Sequence, residues 1–141
     1  MKNRNVSFIF AFLLLTSLLM INATAATYAS DQIQDGWAIA EATSGGEIAV
    51  EFQVDGTGKM LKLGASVITL YEKKAGTWYP IETVSASEDS NMVRSDAFSH
   101  CNTTYFRGIA GRQYYASVTV FATDARGTDY RTYSSNTVTA K

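Results

Sequence analysis

The sequence predicts an all-β protein, a two-sheet antiparallel sandwich of about seven strands, and three observations carry that prediction. Apolar residues recur at every second position, as in Ile48, Val50, Phe52 and Val54. No stretch beyond residue 25 places apolar residues at helical spacing. Glycine turns separate the alternating segments, at Ser44-Gly45-Gly46, Asp55-Gly56-Thr57-Gly58, Ala75-Gly76, Gly111 and Gly127.

Residues 1–25 stand apart from this pattern. Lys2 and Arg4 start the chain, an apolar run follows from Val6 to Ile21, and Ala23-Thr24-Ala25 supplies the small residues read by a signal peptidase. These features predict a secretory signal peptide cleaved near Ala25, and an extracellular domain over residues 26–141. No second apolar run is long enough to span a membrane, so no stable membrane insertion is expected. Without Lys2 and Arg4 the chain carries 10 basic and 13 acidic residues, a formal −3. These charges are dispersed, which argues against nucleic acid and anionic membranes as partners. Cys101 is the only cysteine, so stability must come from packing. It is expected to be a buried thiol, with an intermolecular bridge as the alternative.

Each element is justified in turn. Residues 37–43 form a first strand, and residues 47–54 a half-buried strand with Ile48, Val50, Phe52 and Val54 on one face. Residues 55–58 should turn the chain. Met60, Leu61 and Leu63 are too apolar for a free loop and predict a connection crossing the end of the core. Residues 66–73 form a strand with Ile68 and Leu70 inward, closed by Ala75-Gly76 in a tight hairpin onto residues 77–84. Pro80 removes a backbone donor there, which predicts an edge strand. Residues 85–99 are polar and predict the longest and most mobile loop. Residues 103–109 form the next strand. After Gly111 come Tyr114, Ala116, Val118, Val120 and Ala122 at period two, and residues 131–140 close the sheet.

Gly111-x-x-Tyr114, with Val118, Val120 and Ala122 after it, resembles the sixth strand of fibronectin type III domains and related immunoglobulin-like sandwiches. The resemblance implies that the Tyr114 ring fills a corner of the core while its hydroxyl returns to a nearby main-chain group. Val138 fits the last strand of that plan, and Phe52 stands nearest the position where that family usually carries a core tryptophan. A longer pattern is similar to a group of short secreted Gram-positive proteins. It comprises Ile48-x-Val50-x-Phe52-x-Val54, Thr57-Gly58-x-Met60, Leu63-Gly64-Ala65, Ile68-x-Leu70-Tyr71-Glu72, Trp78, Gly111-x-x-Tyr114-Tyr115-Ala116 and Arg131-Thr132-Tyr133-x-x-Asn136-x-Val138. That similarity implies secretion and fold and supplies no catalytic residue. The expected core is Ile48, Val50, Phe52, Val54, Ile68, Leu70, Tyr114, Val118, Val120 and Val138.

Catalytic constellations are sparse. His100 and Cys101 are adjacent, and neighbours in an extended chain point to opposite faces, which keeps a nucleophile from its base. Ser95, Asp96, Ser99 and His100 hold the residue types of a hydrolase triad, crowded into one polar stretch rather than set on separate elements. A single histidine excludes histidine-rich metal sites. Glu88, Asp89 and Asp96, or Asp124 and Asp129 around Gly127, offer oxygens for calcium, yet solvated turn residues account for both groups. Arg126-Gly127-Thr128-Asp129 lacks the integrin-binding tripeptide because Thr128 intervenes.

The aromatic content points to binding. Tyr71, Trp78, Tyr79, Tyr115, Phe121, Tyr130 and Tyr133 cannot all face the core if alternation holds, so outward rings should be available to stack on sugars or meet a protein. Cross-strand pairing that stiffens the sheet is the competing account. The expected function is a secreted, non-enzymatic binding module without cofactor or metal. It would use an aromatic sheet face or the loops 85–99 and 124–129, with an extracellular protein or polysaccharide as partner. A carbohydrate-binding module at the cell wall and a secreted toxin or antimicrobial protein are the alternatives.

Overall fold

The computed structural model describes residues 31–141. The expected signal peptide, its cleavage near Ala25 and residues 26–30 lie outside the described residues. Strand makes up 74% of the described residues and helix 5%. The chain is therefore all-β, with helix confined to single turns at Ser44–Gly46 and Ser90–Met92. The strands are β1 (Ile33–Ala42), β2 (Glu47–Lys74), β3 (Thr77–Ser85), β4 (Val93–Arg107), β5 (Gln113–Thr123), β6 (Thr128–Ser134) and β7 (Val138–Thr139). Pairing is antiparallel throughout, in the order β1-β2-β5-β6, with β3 and β4 also on β2 and β7 on β5.

β2 organises the fold. Its 28 residues far exceed an ordinary strand of about 5–6. The first part, to Asp55, lies between β1 and β4, whereas the last part pairs with β3 and β5. Residues 55–58 therefore do not turn the chain back, contrary to the sequence expectation. The register against β4 slips between Asp55 and Met60, so the strand bends and continues. Glycine permits the bend: a Cβ on Gly56 would meet Met60 Cγ at 2.6 Å. Met60 and Leu63 are buried and Leu61 is exposed, all within β2, so this segment is strand and not a crossing connection.

β4 also begins earlier than expected. Residues 93–99 belong to it, with Ala97 opposite Met60 and Val93 opposite Gly64. The expected loop shrinks to residues 86–92, and fully buried Met92 anchors it. Its polar composition misled because β4 has β2 on one side only, so most of residues 93–99 face solvent. Residues 131–140 divide into β6 and β7 for a related reason. The Ser135 hydroxyl accepts from the Ala116 N–H. The Asn136 side chain accepts from Ala40 N–H and donates to the Ala40 carbonyl, so one amide stands in for a stretch of ladder.

Other local expectations hold. Ala75 and Gly76 have φ of 48° and 82°, the two positive values of a type I′ hairpin. β3 pairs with β2 alone, and its register slips beside Pro80, between Leu70 and Tyr71. Residues from both parts of β2 and from β5 share one core, including Ile48, Val50, Phe52, Val54, Ile68, Leu70, Val118 and Val120. The sheet thus curls around its own inner face. Val138 packs against this core but stays half-buried, because two-residue β7 lies at the margin. The Tyr114 ring is fully buried, and its hydroxyl accepts from the Ile109 N–H at 2.8 Å.

Candidate functional site

Period two sorts the aromatic residues. On β5, Tyr114, Ala116, Val118, Val120 and Ala122 face the core, so Tyr115, Ser117, Thr119, Phe121 and Thr123 face out. Directly opposed residues share a face, and the register extends the outward set to β2, β3 and β6. Tyr71 lies opposite Tyr115, Trp78 opposite Lys73 and Tyr130 opposite Phe121. Tyr79 and Tyr133 leave this face. Tyr79 is paired with buried Glu72, and Tyr133, opposite Val118, packs on the core. The proposed ring set thus divides five to two between the faces.

The five outward rings form two groups. Tyr71 and Tyr115 stack at 4.8 Å with planes 8° apart, and Trp78 meets Tyr115 edge-on at 4.8 Å. Lys73 Nζ sits 5.6 Å from the Trp78 ring centre. Phe121 and Tyr130 are 6.1 Å apart, and Tyr130 is 62% exposed. Tyr115 and Phe121 are six residues apart on β5, a span of ~20 Å at ~3.4 Å per residue. Hydroxyl pairs occupy the same face: Thr69 with Thr83 at 3.1 Å, Thr119 with Thr132 at 3.0 Å and Thr123 with Thr128 at 2.8 Å. Among the described residues, Lys73 and Lys62, opposite Thr123, are the only charged residues that the register places on this face. Surfaces are ordinarily about 25–35% charged, so the face is unusually neutral.

A polar network supports the Tyr71–Tyr115 end from beneath. Glu72 is buried and accepts from the Tyr114 hydroxyl at 2.7 Å and from Arg112 Nη1 at 2.8 Å, with Lys74 Nζ at 3.2 Å. These contacts, the tyrosine hydroxyl first, hold its carboxyl below the usual glutamate value. Burial, followed by the Glu72 hydrogen bond, pushes the Tyr114 phenol up.

The remaining titratable candidates are dispersed. His100 faces Val54 and its Nε2 lies 2.7 Å from the Asn91 carbonyl oxygen, whereas Cys101 faces Gln53 on the other side of β4. The two side chains therefore diverge, as alternation predicts. Cys101 is exposed, which corrects the expected buried thiol: from Ser99 to Arg107 the odd positions of β4 point outward. Local desolvation, then the hydrogen bond to Glu51 and its charge, push this thiol up to about 11. It stays protonated at neutral pH and is a slow nucleophile.

Ser95, Asp96 and Ser99 lie along exposed β4, and Asp96 pairs loosely with Lys59 at 3.8 Å. Glu88 is spent on the Ser85 N–H and hydroxyl, which hold its carboxyl below the usual range. Asp89 accepts from the Asn91 N–H. Asp124 accepts from Arg126 through side chain and backbone and from the Gly127 N–H, and is likewise held low. Asp129 accepts from the Gln32 N–H. Both acidic groups thus fasten turns.

Sequence reasoning missed the opposite outer face, on β1, the first part of β2 and β4. Ile39, Glu41, Glu51, Thr103 and Tyr105 line a shallow groove of about 250 Å³ there. The signal was present as odd positions on three strands, but the pairing of β1 and β4 with β2 was not legible. Compared with models of known protein families, the chain matches none. Comparison with curated proteins gives no match.

Proposed function

We propose that the protein is a secreted, non-enzymatic binding module with a fibronectin type III-like or immunoglobulin-like sandwich. Its ligand surface is the outer face of β3, the last part of β2, β5 and β6. Support for the sandwich lies in the two partner sets of β2. One layer comprises β1, the start of β2 and β4; the other comprises β3, the end of β2, β5, β6 and β7. Both contribute to one core, and the Tyr114 hydroxyl meets the backbone at the corner as in the resembled domains. The similarity to short secreted Gram-positive proteins and the signal peptide expected over residues 1–25 support export.

The neutrality of the aromatic face carries the functional reading. Binding sites for charged ligands provide opposite charge. Here hydroxyl pairs lie between two aromatic groups, with Lys62 and Lys73 as the only charges that the register places there. A neutral, hydroxyl-rich chain matches that surface, and a cell-wall polysaccharide has this chemistry. Tyr71 and Tyr115 each spend one ring face on the other, so Trp78 and the well-exposed Tyr130 are the groups to test for contact.

Co-sedimentation of the processed protein with insoluble glucans, chitin and peptidoglycan tests the proposal. Trp78→Ala and Tyr130→Ala should each weaken retention at least about fivefold, the scale of a contact worth ~1 kcal/mol. Failure to bind any neutral polysaccharide, or undiminished binding by both variants, would reject this surface.

A further inference from the structure

The opposite outer face has a different electrostatic character. Register and alternation place Glu41 of β1, Glu47, Glu51 and Asp55 of β2, and Arg107 of β4 outward there. Among residues 47–55 of β2 and the residues paired with them on β1 and β4, Arg107 is the only lysine or arginine. Among the described residues none of the four carboxylates is in a salt bridge. Glu41 and Glu51 flank the groove with Ile39 and Tyr105, which are 46% and 60% exposed. Exposed apolar groups beside uncompensated carboxylates match a side chain with an aliphatic stem and a cationic head. Tyr105 adds a ring face suited to that cation.

We infer that this groove docks a basic, extended peptide segment of a partner protein, with one lysine or arginine head between Glu41 and Glu51. A small amine would reach one end only. Glu47 and Asp55 lie eight residues apart on β2, ~27 Å at ~3.4 Å per residue. Several cations carried on one chain match charges spread over that length. The polysaccharide surface proposed above lies on the other layer and uses none of these residues.

The probe is a fluorescent, end-blocked hexapeptide of alternating lysine and isoleucine, titrated into the processed protein and followed by anisotropy and amide chemical shifts. Binding should saturate, weaken with added salt and shift the amides of Ile39, Thr103 and Tyr105. The double variant Glu41→Gln/Glu51→Gln should bind roughly three- to tenfold more weakly, the combined scale of two exposed ion pairs. Circular dichroism checks that it is folded, and Tyr105→Ala provides a second, uncharged disruption.

The inference fails if the hexapeptide does not bind at millimolar concentration. It fails equally if the double Gln variant binds unchanged, if a glutamate-for-lysine peptide binds as well, or if the shifts map to β5 and β6. Equal competition by spermine, mole for mole, would overturn the extended-segment part, and self-association that excludes the peptide would replace it with a second copy.

Discussion

Tyr114 is the residue through which the local chain, the core and a buried charge meet. Its ring is part of the core, while its hydroxyl accepts from Ile109 and donates to Glu72. Tyr114→Phe keeps the ring and removes both bonds. Leaving buried partners unsatisfied should cost ~1–3 kcal/mol, read as a lower urea midpoint with an unchanged slope. An unchanged midpoint would show that water replaces the hydroxyl. The resemblance to fibronectin type III domains implied a hydroxyl returning to the main chain, as the Ile109 contact does. It did not identify Glu72 as its partner, because Glu72 joins it only through the β2–β5 register, 42 positions away.

At the scale of the element, β2 distinguishes an alternating pattern from a strand's true extent. Apolar residues alternate on both sides of Gly56 and Gly58, and a glycine pair inside an apolar pattern reads as a turn. In the structure those glycines sit inside one bent strand, because β4 pairs on both sides of them, with β1 before and β3 and β5 after. Gly64 marks the second constraint. A Cβ there would collide with the Met92 carbonyl oxygen and lie 2.8 Å from Val93 Cα. Gly64→Ala must therefore push β4 away from β2, and a loss of ~1–3 kcal/mol is expected from such overpacking. A thermal melt and amide exchange over residues 92–97 would check it; wild-type protection there contradicts the tight approach.

At the scale of the whole molecule, three buried or turn-bound carboxylates set the acid limit of stability. Glu72, Glu88 and Asp124 are held below their ordinary values, by Tyr114, Ser85 and Arg126 first. A carboxyl lowered in the fold stabilises it above the unfolded value, ~4 for these groups, and that contribution fades as pH falls through the lower folded value. The midpoint for thermal unfolding should hold steady from pH 7 to about 5 and drop below about 4. Arg112→Gln should flatten that drop, because Glu72 then titrates closer to its unfolded value. A profile as steep as wild type would remove Glu72 from the account. Tyr114, whose phenol is raised, gives the opposite edge: its contribution is complete below ~10 and is lost as the pH rises further.

The inward residues of β2 and β5, the Ala75-Gly76 hairpin and the edge position of β3 were legible from the sequence alone. Each depends on neighbours along one chain: period two, paired positive φ values, or a missing proline N–H. The tertiary structure decided which strands adjoin, where β2 bends and which outward residues share a surface. Those outcomes depend on contacts between residues far apart in sequence, so Tyr79 and Tyr133 could not be separated from the other five rings beforehand. Nor could Glu41, Glu51 and Tyr105 be joined. Alternation assigns each side chain a face, but only strand pairing assembles faces into a site.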